Sequence, residues 1–200
     1  MRKYLPIAII LGLLAILFFW YISIKNGAVR VNQEVSKEWG NVETTYQRRN
    51  DLIGNLVKTV QGSADFEKST LEAVIKARSE ATSVKIDPAN MTPEQLAQFN
   101  QAQGNLNSSL SRLLVTVEQY PDLKANQNFL KLQDELASTE NQILTARTRF
   151  NESVQKYNNY ILVFPNSLFL GNYKEKPYFD AVAGAEKPVE VNFDFKNDKK

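Results

Sequence analysis

The sequence predicts an all-α protein: an antiparallel up-and-down four-helix bundle preceded by one N-terminal transmembrane helix. Three observations lead there. Leu5 to Ile24 read LPIAIILGLLAILFFWYISI without a single charge. Apolar residues then recur at steps of three and four along the later stretches, the spacing of one helix face. Glycine- and proline-bearing loops separate those stretches. The chain divides accordingly into a membrane anchor at 1–28, a helical bundle at 29–170 and an irregular or partly disordered tail at 171–200.

The first element is read as a membrane helix because twenty helical residues span about 30 Å, the thickness of the hydrocarbon core of a bilayer. Trp20 and Tyr21 stand toward one end, where amphipathic rings favour the interface, and Pro6 falls in the first turn, where a missing N–H is harmless. A cleavable signal peptide has a shorter apolar stretch, and KNGAVRV is a poor cleavage site. The lipid bilayer, met through Leu5–Ile24, is thus the first partner. Arg2 and Lys3 precede the run while Lys25, Arg30 and Lys37 follow it, so basic residues flank both ends and give no orientation.

The second element carries Val31, Val35, Trp39, Val42, Tyr46, Ile53, Leu56 and Val60 on one stripe of about nine turns, with a gap of seven at Arg49 and Asn50. Gly62-Ser63-Ala64-Asp65 offers a stop followed by caps, and a shorter stripe passes through Leu71, Val74, Ile75, Arg78 and Ala81. A continuous helix over 30–84 is the competing reading, one that leaves the Val31–Tyr46 face bare and requires oligomers. Thr92, Pro93 and Gln95 then form a capping box that restarts the chain into Leu96, Phe99, Gln103, Leu106, Leu110, Leu113, Val117 and Tyr120, until Pro121. Asn126 caps the last long helix, which runs to about Val163, with Leu136, Ile143, Phe150 and Tyr157 on its stripe beside Glu140, Arg147, Val154 and Ile161. In the tail, VEVNFDF at 189–195 alternates like a strand but has no partner edge in this chain, and is expected to stay loose unless another molecule pairs with it.

Composition removes several functions. Lys and Arg number 24 against 22 Asp and Glu, and no long basic run occurs, so no nucleic-acid partner is expected. There is no Cys and no His. That excludes thiolate and imidazole catalysis and the usual zinc and haem ligand sets, so no cofactor, metal or catalytic residue is assigned. An enzyme would have to rest on carboxylates, Lys, Ser or Tyr, and Glu43, Asp51 and Glu140 stand where neighbouring arginines would hold the acids ionised.

The polar residues embedded in the stripes have a structural reading instead. If the first and last helices pack antiparallel with 62 level with 126, Glu140 comes near Arg48 and Arg49, and Arg147 near Trp39 and Glu43. Arg48, Arg49, Asp51, Glu140 and Arg147 would then pair across the bundle, since a buried charge without a partner costs several kcal/mol. The alternative is that Glu140 and Arg147 sit at the stripe's edge and reach water.

The stretches WGNVETTYQRRNDLIGNLVKTVQG at 39–62, EAVIKARSEA at 72–81, and YPDLKANQNFLKLQDELASTENQILTARTRFNESVQKYNNYILVFP at 120–165 resemble the LemA family of bacterial membrane proteins. With the anchor, the resemblance covers nearly the whole chain. The family usually has proline where this chain has Gly54, and tyrosine where it has Ser63, which makes a bend at 54 optional here. The resemblance implies a single-pass anchor bearing an up-and-down bundle, with no established enzymatic activity and no recognised catalytic residues. The resulting expectation is a non-enzymatic protein of the bacterial cell membrane that holds or recruits another, unknown protein. Phe164, Leu168, Phe169, Tyr173, Tyr178 and Phe179 are the expected interface, with residues 164–170 returning toward lipid headgroups; the rival reading is that these rings close the bundle's open end. A self-associating scaffold, in which the Val31–Tyr46 stripe pairs between subunits, is the second functional class.

Overall fold

The computed structural model describes residues 4–62 and 66–179, and every regular element among them is a helix. The first, α1, is Leu5–Gln61, 57 residues without a break and about 85 Å long at 1.5 Å per residue. The apolar run and the first bundle helix are therefore one element. Its side chains over 9–21 are exposed, while Ile24 and Ala28 are already buried against the rest of the fold. No linker separates the apolar span from the bundle.

Chain reversal follows Gln61, and α2, Lys68–Ser83, runs back along α1. The continuous helix over 30–84 does not form; Ser63 and Asp65, expected near the stop and cap, lie outside the described residues. The restart before α3, Pro93–Val117, is the capping box read from sequence: Gln95 N donates to Thr92 Oγ1 at 3.2 Å and Thr92 N donates to Gln95 Oε1 at 3.0 Å. A single turn, α4, Pro121–Lys124, leads to α5, Gln127–Leu162, whose first free amides donate to Asn126 Oδ1. A last turn, α6, Asn166–Phe169, follows Pro165. With α1 up, α2 down, α3 up and α5 down, the bundle is the antiparallel four-helix arrangement.

α5 is about 54 Å long and covers α1 from Phe129 at the top to Ile161 beside Ile24. Val35, Trp39, Val42 and Tyr46 are thereby buried within one chain. That corrects the expectation that the Val31–Tyr46 stripe stands ready for a second subunit: α5 and the residues after α6 already take it up.

Two hydrophobic clusters result. The lower one, toward the apolar end of α1, centres on Trp39, Tyr46, Phe99, Phe150, Tyr157 and Phe179. The upper one joins Leu56, Val60, Val74, Leu106, Leu113 and Leu136, with Phe66 and Phe129 its buried rings. α2 is too short to reach the lower half, so the 84–92 loop and residues 170–179 fill the place of a fourth helix there, through Ile86, Met91, Leu170 and Phe179. Residues 171–179 form no helix or strand, yet Lys176 and Phe179 among them are buried; the alternating segment 189–195 lies outside the described residues.

Two glycines admit close contacts. Tyr160 lies on Gly27, where a Cβ would fall 1.9 Å from its hydroxyl oxygen, and donates that hydroxyl to Ile24 O at 3.1 Å. Gly54 admits the Arg78 guanidinium, whose Cζ would lie 3.1 Å from a Cβ there.

Candidate functional site

Between the two clusters runs a polar band to which all four long helices contribute. Arg49 enters it from α1 with only 4% of its side chain exposed; Glu140 reaches over from α5 at 47%. Arg49 Nε lies 2.9 Å from Glu140 Oε1, an ion pair whose N–H is not aligned as a hydrogen bond, and an Arg49 terminal nitrogen donates to Asn107 Oδ1 at 3.1 Å. The gap in the α1 stripe is where this guanidinium is housed. A buried cation needs such partners, because desolvation otherwise costs several kcal/mol.

Arg78 supplies the second contact. Its Nε donates to Asn50 O at 2.7 Å, and its guanidinium stands 3.9 Å from Asp51 Oδ1, which also accepts from Gln47 Nε2 at 3.1 Å. Asn50 thus sits in the band beside a bonded carbonyl, and Gly54, one turn on, gives the arginine its space. Arg48 points to solvent and takes no part. Arg147 is half-buried but lies lower, its guanidinium 4.6 Å from the centre of the Phe179 ring, a cation–π distance. Burial pushes the Tyr46 phenol up from its ordinary value, with the arginines at 147 and 49 pulling the other way.

These residues do not converge on a closed chamber. Asn50, Gln103, Tyr46 and Phe99 border an open groove of about 490 Å³, and Asp51, Gly54 and Arg78 border another of about 380 Å³. Asn50 Oδ1 and Gln103 Oε1 are buried with no hydrogen-bond partner among the described residues. No group of three or more Asp, Glu, His or Cys among the described residues is placed to hold a metal ion.

A second polar construction fastens the end of the chain to α5. Asn158 donates through Nδ2 to Lys176 O and accepts from Lys176 N, both at 2.9 Å. Seven residues earlier, Asn151 does the same for Phe179, donating to its O at 3.0 Å and accepting from its N at 2.8 Å. Seven helical residues rise about 10 Å, and three extended residues advance about as far, so the two amides meet two backbone positions in register. Lys176 then donates its ammonium to Pro88 O at 2.6 Å and Ala89 O at 3.1 Å, tying in the loop before α3. Burial lowers the Lys176 pKa, an effect the Asp87 carboxylate opposes. Sequence reasoning missed Asn151, Asn158 and Lys176; the one available signal was two asparagines a heptad apart on a helix, N151 and N158.

The six expected interface residues separate. Phe164, Leu168 and Tyr178 are exposed, Phe169 and Tyr173 half-buried. Phe179 is a core residue, not a surface one. It stacks on Trp39 at 6.0 Å and 17°, and packs edge-on against Phe150 at 5.4 Å, because the two asparagines hold its backbone over the lower cluster. Phe169 meets Trp20 and Tyr21 edge-on, each at 5.8 Å, and Lys25 stands 5.2 Å over the Tyr173 ring.

A family model described as LemA family matches residues 38–193, which takes in the polar band and both asparagines. Among similar proteins, Magnetosome protein MamQ 2 of Paramagnetospirillum magneticum is 27% identical over 183 residues, covering 82% of this chain and 67% of its own. Magnetosome protein MamQ of Magnetospirillum gryphiswaldense is 26% identical over the same shares. Protein LemA of Metamycoplasma hominis is 24% identical over 163 residues, covering 82% of this chain and 71% of its own. None of these names denotes an enzyme.

Proposed function

The chain belongs to the LemA family, and from that premise we propose that it is a non-enzymatic, single-pass protein of the bacterial cell membrane that holds or recruits partner proteins there. The observation that carries this reading is the unbroken course of α1, an exposed apolar span that passes without a linker into the core of a bundle at Ile24 and Ala28. α1 is the helix among the described residues that is long and apolar enough to cross a membrane. A rigid junction of this kind holds the bundle's surface at a fixed height and tilt, which suits a platform for other proteins. The polar residues support the same reading: Arg49 pairs with Glu140 and Asn107, and Arg78 with Asn50 O and Asp51, instead of facing a substrate-sized chamber. Two of the relatives are named as magnetosome proteins, and a platform on a membrane is compatible with that setting.

Photo-crosslinking in intact cells tests it. A photoreactive residue at Tyr178 or Val115, both exposed, should trap discrete membrane-dependent adducts that vanish when residues 1–19 are deleted, a cut that leaves the core residues Ile24 and Ala28 in place. Adducts of unchanged pattern after that deletion, or none from either position, would overturn the recruiting role.

A further inference from the structure

The reversal between α5 and α6 places a bare apolar tip beside the last turn of the α1 span. Phe164 is 79% exposed and Leu168 69%, with Leu162 and Val163 also exposed. No charge occurs from Tyr157 to Tyr173. The height of this tip is fixed by contacts on either side of it: Tyr160 bonds to Ile24 O, and Phe169 touches Trp20 and Tyr21. The tip therefore lies level with residues 20–24, the final four or five of the uncharged run, a band about 6 Å deep.

Several of its backbone amides are bonded within the turn. Val163 N donates to Asn159 O, Ser167 N to Val163 O, Leu168 N to Pro165 O and Leu170 N to Asn166 O, while the Asn166 amide donates to Tyr160 O. A turn that enters lipid must satisfy its polar groups internally, since no water is there to do so. A tip of exposed apolar side chains, without charge and with the amides of Val163, Ser167 and Leu168 bonded within the turn, continues the apolar surface of the anchor sideways.

We propose that residues 162–168 form a second membrane contact, inserting Phe164 and Leu168 into the hydrocarbon edge of the leaflet at the Ile24 end of α1. The inference rests on the reading of α1 as the membrane anchor. The bundle then touches the bilayer at two places on one side of its axis, and its tilt is set by both. Tyr21 and Tyr173 rings beside Lys25, with Trp20 on Phe169, supply the amphipathic groups that belong at the headgroup level.

The absence of cysteine makes every introduced cysteine unique. The full chain, carrying Phe164→Cys, Leu168→Cys, Leu14→Cys or Val115→Cys and labelled with an environment-sensitive fluorophore, is placed one copy per nanodisc of phosphatidylcholine and phosphatidylglycerol. Quenching by brominated acyl chains is compared with quenching by aqueous iodide, after circular dichroism shows unchanged helicity. Labels at 164 and 168 should be quenched by brominated lipid several-fold more than the label at 115, and shielded from iodide. If 14 is quenched by lipid while 164 and 168 behave like 115, the anchor stands and the second contact falls. Shielding from iodide without lipid quenching at 164 and 168 would assign the tip to a protein contact and overturn the proposal. If 14 itself escapes lipid quenching, the anchor reading and the inference both fall.

Discussion

The lower and upper halves of the bundle solve one problem with different materials. In the upper half, four helical layers meet along Leu56, Val60, Val74, Leu106, Leu113 and Leu136, and aliphatic side chains fill a regular interior. In the lower half α2 has ended, and the missing layer is replaced by irregular chain pinned to α5 by Asn151 and Asn158. Irregular chain leaves uneven gaps, which large rings fill: Trp39, Phe99, Phe150 and Phe179 lie within 5.4–6.4 Å of one another in five pairs. The difference teaches that a four-helix core needs only periodic aliphatic stripes, whereas a core completed by extended chain needs specific amides to supply the backbone bonds a helix would have made for itself.

The largest effect should come from removing the centre of the lower half. Trp39→Ala is expected to cost about 3–5 kcal/mol, as aromatic truncations in packed cores do, and limited proteolysis should then cleave within 171–179. A variant that loses stability while the tail stays protected would break the link between the aromatic core and the tail.

In the upper half, Leu106→Ala should cost about 2–5 kcal/mol. Hydrogen exchange under native conditions should show the loss of protection concentrated above Arg49. Equal loss in both halves would mean that the polar band does not separate two cooperative regions.

Asn158→Ala leaves Lys176 N and O without their side-chain partner and should cost about 1–3 kcal/mol, the usual penalty for a buried group left unbonded. The same change at the exposed Asn105 of α3 should do nearly nothing. Chemical denaturation of both variants compares them directly.

The smallest effect concerns the band itself. Reversing charge at Arg49 and at Glu140 separately and together should give a coupling of about 1 kcal/mol or less, since the carboxylate is half in water and screened. Additive single variants would remove the contact from any account of register.

Much of the architecture was legible. Stripe spacing, the capping box at Thr92 and the cap at Asn126 are local signals, because a helix's start and its buried face depend on residues within a turn or two. The approximate level of Glu140 with Arg49 could be read from helix lengths alone. Arg78 bonding to Asn50 O across Gly54 could not: it depends on the rotation of α2 about its axis, which no spacing encodes. Phe179 was misplaced on the surface because its segment has no helical period, and nothing nearby marks Asn151 as its holder.

By itself, the order of residues determined that this chain makes long amphipathic helices behind an uncharged span, since apolar periodicity and proline placement act through neighbours a few positions away. Only the tertiary structure decided that span and bundle share one helix, that a nonhelical segment completes the lower core, and that the α5–α6 turn stands level with Trp20. The last two outcomes join residues more than a hundred positions apart, and a distance of that kind is fixed by packing and by which buried polar groups find partners.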